Sequence, residues 1–338
     1  MNSSTAASPV YVVAAANAKF NLPLCVMVTS LVINANPDRL LKLYILSRDS
    51  GEKEKENVRR SIELNRPGLK NVEIYWPTMD SAWFEKLPSG ERFSKDTFSR
   101  LFASLCLPPE CEKYIYLDAD MVVLHDICEL YDTTTGPTTL HAARDVWSPW
   151  AESPNGVFNY REMGIPPKTL MFNAGLHVVN VKRWKETNAA ARTIDYAEKN
   201  AAKSFYDQMA LNACLHDDWT PVDQRWNQCY DVIYPKMWSD AGFTTEEWAR
   251  TRDYPYIVHY TGDAKPWEKN RWRPRYSIFF KYLAKTVHHG ALPSQWYRLE
   301  SIIGFRLNYK LWAAARFLVR RVLKMKVFVP PQTVESRS

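Results

Sequence analysis

Asp118 and Asp120 stand one residue apart at the end of the apolar run Tyr114-Ile115-Tyr116-Leu117. In the middle of a buried strand, an ionised carboxylate without a partner loses its hydration. At a strand's carboxyl end that penalty disappears, and the crevice there is where open α/β sheets bind ligands. A hard divalent cation reconciles two such charges. Magnesium and manganese take carboxylate oxygens in octahedral sites and bridge them to substrate phosphates. The plain alternative is a turn, because Asp favours turns and caps. Apolar neighbours on both sides, with Met121-Val122-Val123-Leu124 following, favour a sheet terminus.

Three later segments combine small residues, amides and cations. Phe172-Asn173-Ala174-Gly175 is read as preceding a strand, with a glycine that permits close backbone approach to a ligand. Asp207-Gln208 opens a helix, where an acid at the cap or first turn is ordinary. His259-Tyr260-Thr261-Gly262 ends a strand, and its imidazole can be a third metal ligand. Gly262 and Lys265 have the chemistry of phosphate binders, the first through its backbone and the second as a point charge. Taken singly, His259 is an ordinary half-buried histidine, Lys265 a solvated charge and Asn173 a turn residue. Their order after the acid pair favours a site.

The elements that must position these groups alternate. Strands are predicted at Val12–Ala16, Leu43–Leu46, Val72–Tyr75 and Tyr114 onward. Helices are predicted at 21–35, 53–66 and 96–107, closed by Asn36-Pro37, Pro67-Gly68 and Pro108-Pro109. This alternation implies βαβ units and a mainly parallel sheet. Further strands are expected at 140–143, 177–181 and 256–260, and helices at 193–203 and 206–214. Residues 217–234, rich in Trp, Asn, Gln and Pro, read as a structured loop.

At 338 residues and 46% hydrophobic the chain can bury a sizeable core. Its 13 Trp and 18 Tyr suit packing around an amphipathic ligand such as a sugar. No uncharged apolar run reaches the roughly 18 residues of a membrane span. The first residues lack the basic region and apolar core of a signal peptide. The six cysteines show no Cys-x-x-Cys pairing and read as reduced structural thiols of a cytosolic protein. Residues 301–334 carry Arg306, Lys310, Arg316, Arg320, Arg321, Lys324 and Lys326 and no acid. Without those seven, the 44 basic residues fall to 37 and equal the acids. Basicity confined to the tail argues against a nucleic-acid binder, which spreads Lys and Arg over its main face.

Tyr116-Leu117-Asp118-Ala119-Asp120, Phe172-Asn173-Ala174-Gly175, Asp207-Gln208 and His259-Tyr260-Thr261-Gly262, with Lys265-Pro266-Trp267, resemble the successive motifs of family 8 glycosyltransferases. That family includes glycogenin, galactinol synthase and bacterial lipopolysaccharide galactosyl- and glucosyltransferases. The likeness runs in order from about residue 10 to 275 and is most specific in the last motif. It implies an α/β fold of GT-A type, one Rossmann-like domain over residues 1–280. It also implies a UDP-hexose donor (galactose or glucose), Mn²⁺ or Mg²⁺, and retention of configuration to give an α linkage. By position, Asp118, Asp120 and His259 would hold the metal, and Gly262 and Lys265 the diphosphate. Ala14, Ala16, Asn17, Arg100, Ala119, Ala174 and Gly175 would line the donor. Asn173, Asp145, Asp207 and Gln208 would contact its sugar, with Gln208 near the reacting carbon. Front-face attack by the acceptor hydroxyl is favoured over Asp207 as a covalent nucleophile. One position departs from the family. The acid that usually binds uracil after the first strand is replaced by Ala14-Ala15-Ala16-Asn17, and Asn17 is the expected substitute.

On a helical wheel, six of the tail's basic residues fall within about 140°, opposite Leu307, Leu311, Leu318, Val319, Val322 and Leu323. Such a basic amphipathic helix lies on anionic lipid, and the competing reading is a packed terminal helix. The domains expected are therefore 1–280 and a helical tail, 281–338. The acceptor is expected to be a carbohydrate or glycolipid and the protein peripheral on the cytoplasmic membrane face. Two other functions fit an acid pair at a strand end. A metal-dependent nucleotidyl or phosphoryl transferase should show a glycine-rich loop near the first strand, and residues 12–17 hold no Gly. A non-catalytic carbohydrate-binding protein would use the aromatics and a structural metal.

Overall fold

β1 (Val10–Ala15) is buried along almost its whole length and pairs in parallel with β2 (Leu41–Leu46) on one side and β4 (Lys113–Asp118) on the other. In this computed structural model residues 8–85, 87, 95–201, 207–262, 264–268 and 275–292 are described. With β3 (Val72–Tyr75), β6 (Leu140–Arg144), β7 (Phe172–Asn180) and β8 (Trp219–Pro221), they form a seven-stranded sheet ordered β3-β2-β1-β4-β7-β6-β8. β7 runs antiparallel to β4 and β6, and the remaining pairs are parallel. The expectation of an α/β fold with a mainly parallel sheet is met. A small second sheet, β5-β10-β9, joins Met121–Val123, Ile257–His259 and Gln228–Cys229. Its β10 pairs antiparallel with β5, setting His259 opposite Met121.

Helix Asn21–Asn34 is apolar nearly all round because it is covered on both sides. The sheet lies against one face and helix Tyr276–Leu283 against another. Asn34 Nδ2 ties the layers together, donating to Val123 O at 2.9 Å and Tyr282 Oη at 2.8 Å. Asn65 Nδ2 likewise donates to Lys285 O at 2.8 Å. Helix Tyr276–Leu283 thus runs through residue 280, and residues 281–292 pack with the sheet domain. The basic segment 301–334 lies outside the described residues.

Several elements differ from their sequence reading. Residues 96–107 form no regular α-helix. Lys95–Phe102 winds as a 3₁₀ helix and Ala103–Cys106 adds one α turn. Phe98 to Phe102 are buried in succession, which a helix with one solvated face does not permit. The Phe172-Asn173-Ala174-Gly175 motif lies inside β7 instead of before a strand, with Phe172 paired to Arg144 of β6 and the β4 pairing beginning at Leu176. β7 ends where Asn180 Oδ1 caps helix Val181–Glu186 through Arg183 N–H at 3.1 Å. Residues 217–234 contain β8, a 3₁₀ turn at Gln224–Asn227 and β9, strands too short for any periodicity to register. The helix expected at 193–203 spans Ala189–Lys199, and the one expected at 206–214 spans Asp207–Leu215.

Candidate active site

The two acids take their positions from the ends of β4 and β5. Asp118 is the last residue of β4 and lies beside Ala15 of β1 in register. Ala119, small and buried, lets the chain turn so that Asp120 faces the same crevice before β5 begins. β10 then delivers His259, whose Nε2 lies 3.1 Å from Asp120 Oδ1 and 3.7 Å from Asp118 Oδ2. Among the described residues, these three each bring a ligand atom within 4.8 Å of the others. Lys265 Nζ donates to Asp120 Oδ2 and to Tyr260 O, the latter at 2.7 Å. Gly262 sits in the exposed turn between them with φ +75°, a conformation that favours glycine.

Arg100 joins this cluster to a third carboxylate. Its NH2 donates to Asp118 Oδ1 at 2.9 Å, its NH1 donates to Ala174 O, and its Nε lies 2.7 Å from Asp207 Oδ2. That last contact is an ion pair off the hydrogen-bonding line, so among the described residues Asp207 Oδ2 receives no directed donor. Tyr116 completes the support. Its ring lies under the guanidinium at 4.6 Å, and its hydroxyl donates to Asp118 Oδ1 at 3.0 Å. Asp118 Oδ1 is thereby occupied and Oδ2 faces the crevice. Burial pushes the Asp118 carboxyl up, Arg100 opposes the rise and Asp120 adds to it. Burial also pushes Asp120 up, but Lys265 and His259 outweigh it and hold that carboxyl below the usual range. Asp207 is raised by burial against the pull of Arg100.

Three carboxylates therefore face two permanent cations. The residues fit a hard divalent ion, offering two carboxylates and one imidazole with charge left to neutralise.

A second polar group lies on the β6 and β7 side. Gln208 Nε2 donates to Asp145 Oδ2 at 2.8 Å, while its Oε1 accepts Ala174 N–H at 3.0 Å. Asn173 Nδ2 donates to the same Asp145 oxygen at 3.1 Å, and Ser148 N–H reaches Asp145 Oδ1 at 2.7 Å. Asp145 is a buried carboxylate held by neutral donors, at the point where β6 breaks register between Ala142 and Arg144.

The donor-lining residues expected on β1 divide. Ala14 and Ala16 are buried at the carboxyl end of the central strand β1, with Ala16 N–H donating to Leu46 O at 3.1 Å. Asn17 Nδ2 donates to Asp96 Oδ2 at 3.4 Å, and Asn17 Oδ1 is a buried acceptor without a partner among the described residues. Two residues went unnoticed in the sequence. Asn227 Oδ1 lies 2.9 Å from His259 Nδ1. Asn212, one turn after Gln208, accepts Phe172 N–H at 2.9 Å and donates to Phe172 O at 2.8 Å, locking the helix of Asp207 to β7. A helical i, i+4 spacing from Gln208 was the only sequence signal for Asn212, and Asn227 had none.

Gly175 has a more specific duty than ligand approach. A Cβ there would stand 2.2 Å from His259 Cε1 and 2.9 Å from Asp118 Oδ2. The close approach it permits is that of the histidine ring. Gly175→Ala should push His259 off Asp118 and weaken Mn²⁺ affinity by at least about tenfold, some 1.4 kcal/mol. Titration by electron paramagnetic resonance checks this, and unchanged affinity would mean the ring relaxes freely.

A sequence profile described as Glycosyl transferase family 8 matches residues 11–271. General stress protein A of Bacillus subtilis (strain 168) is 28% identical over 82% of this chain and 93% of its own length. Glycosyltransferase GlyF of Streptococcus pneumoniae serotype 4 is 25% identical over 76% of this chain, which spans 56% of that longer protein. Among solved structures, an active-site mutant of LgtC is similar over 85% of this chain and 99% of its own, with TM-score 0.67 and 23% identity. LgtC in complex with donor and acceptor sugar analogs gives a TM-score of 0.65 at 22% identity. At such identities the likeness establishes the fold, which is of GT-A type.

Proposed function

The chain belongs to glycosyl transferase family 8 and is a glycosyltransferase, and from that premise we propose that it moves galactose or glucose from a UDP-sugar to a hydroxyl of a carbohydrate or glycolipid acceptor, with Mn²⁺ or Mg²⁺ and retention of the α configuration. The observation that carries the reading is the convergence of Asp118, Asp120 and His259 at the crevice end of β4. The ion, when bound there, would neutralise charge on the departing diphosphate.

The chain's own residues supply the rest. Lys265 and the backbone at Gly262 face the diphosphate and stabilise the charge it gains as the sugar–phosphate bond breaks. Asp207 Oδ2, buried and short of a donor, offers an acceptor to a sugar hydroxyl. Gln208 has both ends of its amide engaged, by Ala174 N–H and by Asp145, which suits a group that orients the sugar more than a nucleophile. Front-face attack by the acceptor hydroxyl, with the leaving phosphate taking the proton, is consistent with that arrangement. In this reading the sugar takes the β6–β7 side of Asp118 and the nucleoside the β1–β2 side, near Asn17, which the position of Asp145 and Asn173 on the β6–β7 side supports. The unpartnered Asn17 oxygen would accept the uracil N3–H.

Thermal shift with a panel of UDP-sugars and Mn²⁺ tests the donor, since a bound ligand raises apparent stability by mass action. No shift with any UDP-sugar would overturn it. A newly formed β linkage, read from an NMR coupling constant, would overturn retention.

We propose further that the basic residues of 301–334 hold the protein peripherally on a cytoplasmic membrane face. Each Lys or Arg near an anionic surface contributes about 1 kcal/mol and weakens with salt. Deleting residues 301–338 should abolish binding to phosphatidylserine vesicles while sparing UDP-sugar hydrolysis. Equal vesicle binding by both chains, or loss of donor binding on deletion, would mean the tail is a packed helix of the domain.

A further inference from the structure

Three buried or half-buried side chains, Asp145, Asn173 and Asn227, connect the sugar side of the site to the third metal ligand. Asp145 is a carboxylate and can only accept hydrogen bonds, so the Asn173 side chain must present its NH₂ group to it, at 3.1 Å. That choice turns Asn173 Oδ1 the other way, where it accepts Gly175 N–H at 3.0 Å and Asn227 Nδ2 at 2.9 Å. Asn227 has then spent its NH₂ and presents Oδ1, 2.9 Å from His259 Nδ1. The Cys229 thiol, 3.7 Å from the same oxygen, also meets it as an acceptor. An amide oxygen facing a ring nitrogen requires that nitrogen to carry the proton. Nε2 is left with its lone pair toward Asp118 and Asp120.

The competing arrangement is close at hand. Nε2 lies 3.1 Å from Asp120 Oδ1 and the Cys229 thiol 4.0 Å from Nδ1, so a neutral ring whose Nδ1 accepts from that thiol would carry its proton on Nε2 and donate it to the carboxylate. The nitrogen needed by a metal would then be blocked. We propose that Asn227, oriented through Asn173 by Asp145, is a positioning residue that keeps the His259 proton on Nδ1 and Nε2 free to ligate a divalent cation. The relay also makes Asp145 serve both ends of the site, since the same oxygen holds Gln208. Asn227 is fully buried and touches neither the crevice carboxylates nor Lys265 in any hydrogen bond, so its effect passes through His259. Outer partners of metal-bound histidines fix the tautomer in this way, and their loss weakens metal affinity about 10–100-fold.

The inference rests on the metal site proposed above, and its test separates the two. In metal-free full-length protein, at a pH high enough that the ¹⁵N shifts show the His259 ring neutral, those shifts should place its proton on Nδ1. Asn227→Ala should move the proton to Nε2 and weaken Mn²⁺ binding about 10–100-fold by electron paramagnetic resonance. Asn227→Asp keeps an acceptor for Nδ1–H and should retain the wild-type tautomer, which a residue needed only for packing would not predict. A wild-type proton on Nε2, or an Asn227→Ala protein with unchanged tautomer and affinity, overturns the relay alone. A wild type that binds no Mn²⁺ overturns the metal site and the inference together. Should Asn227→Ala not fold, the wild-type tautomer still decides.

Discussion

Asp120→Ala should lower kcat/KM for sugar transfer by roughly 10²–10³, the scale of losing one preorganised group that stabilises developing charge. Asp120 is the ligand on which His259 and Lys265 converge, so its removal unbalances both. His259 Nε2 loses its nearer carboxylate and Lys265 loses its ion pair, keeping the Tyr260 carbonyl. Wild-type enzyme treated with EDTA should fall to a similar rate and recover with Mn²⁺, whereas the variant should recover little at the same Mn²⁺. Asp118→Ala should lose as much activity and fold less well, because Asp118 also holds Arg100 and Tyr116. EDTA-insensitive transfer by the wild type would remove the metal from the mechanism.

Arg100→Met should destabilise the fold by about 3–5 kcal/mol, the usual cost of leaving a buried charge without its partner. Two carboxylates lose a cation at once, since the guanidinium pairs with both Asp118 and Asp207. Total stability is commonly only about 5–15 kcal/mol, so a substantial unfolded fraction is expected near 37 °C. The pH dependence identifies the cause. Burial already raises both carboxyls above their ordinary value. A raised carboxyl contributes stability that is fully present below its unfolded pKa, about 4, and is lost as pH rises through the folded value. Without Arg100 both carboxyls rise further, so the deficit should be small near pH 4 and grow toward neutrality. Urea midpoints across that range measure it. A deficit independent of pH would place the damage in lost packing against the Tyr116 ring instead.

Much of the fold was legible along the chain because it rests on local rules. Apolar strands alternating with capped helices imply a parallel sheet wherever the run is long enough, as at Leu41–Leu46 and Asn21–Asn34. Reading failed where tertiary burial overrode periodicity. Residues 96–107 read as a helix, yet Phe98 to Phe102 are all covered and the backbone over Lys95–Phe102 tightens into a 3₁₀ helix. β8 and β9 are too short to announce themselves.

The sequence by itself determined which groups can do chemistry: an acid pair at a strand end, a histidine and lysine after another strand, and Asp207-Gln208 at a helix start. Their types and order follow the chain, so no coordinates were needed to name them. Only the tertiary structure decided which oxygen or nitrogen each group has left to use. Asp118 Oδ1 is taken by Arg100 and Tyr116, Gly175 exists to admit the His259 ring, and Asn227 selects that ring's tautomer. Those partners come from strands and loops far apart in sequence. Hydrogen bonding depends on separations of about 3 Å and on direction, which spacing along a chain does not encode.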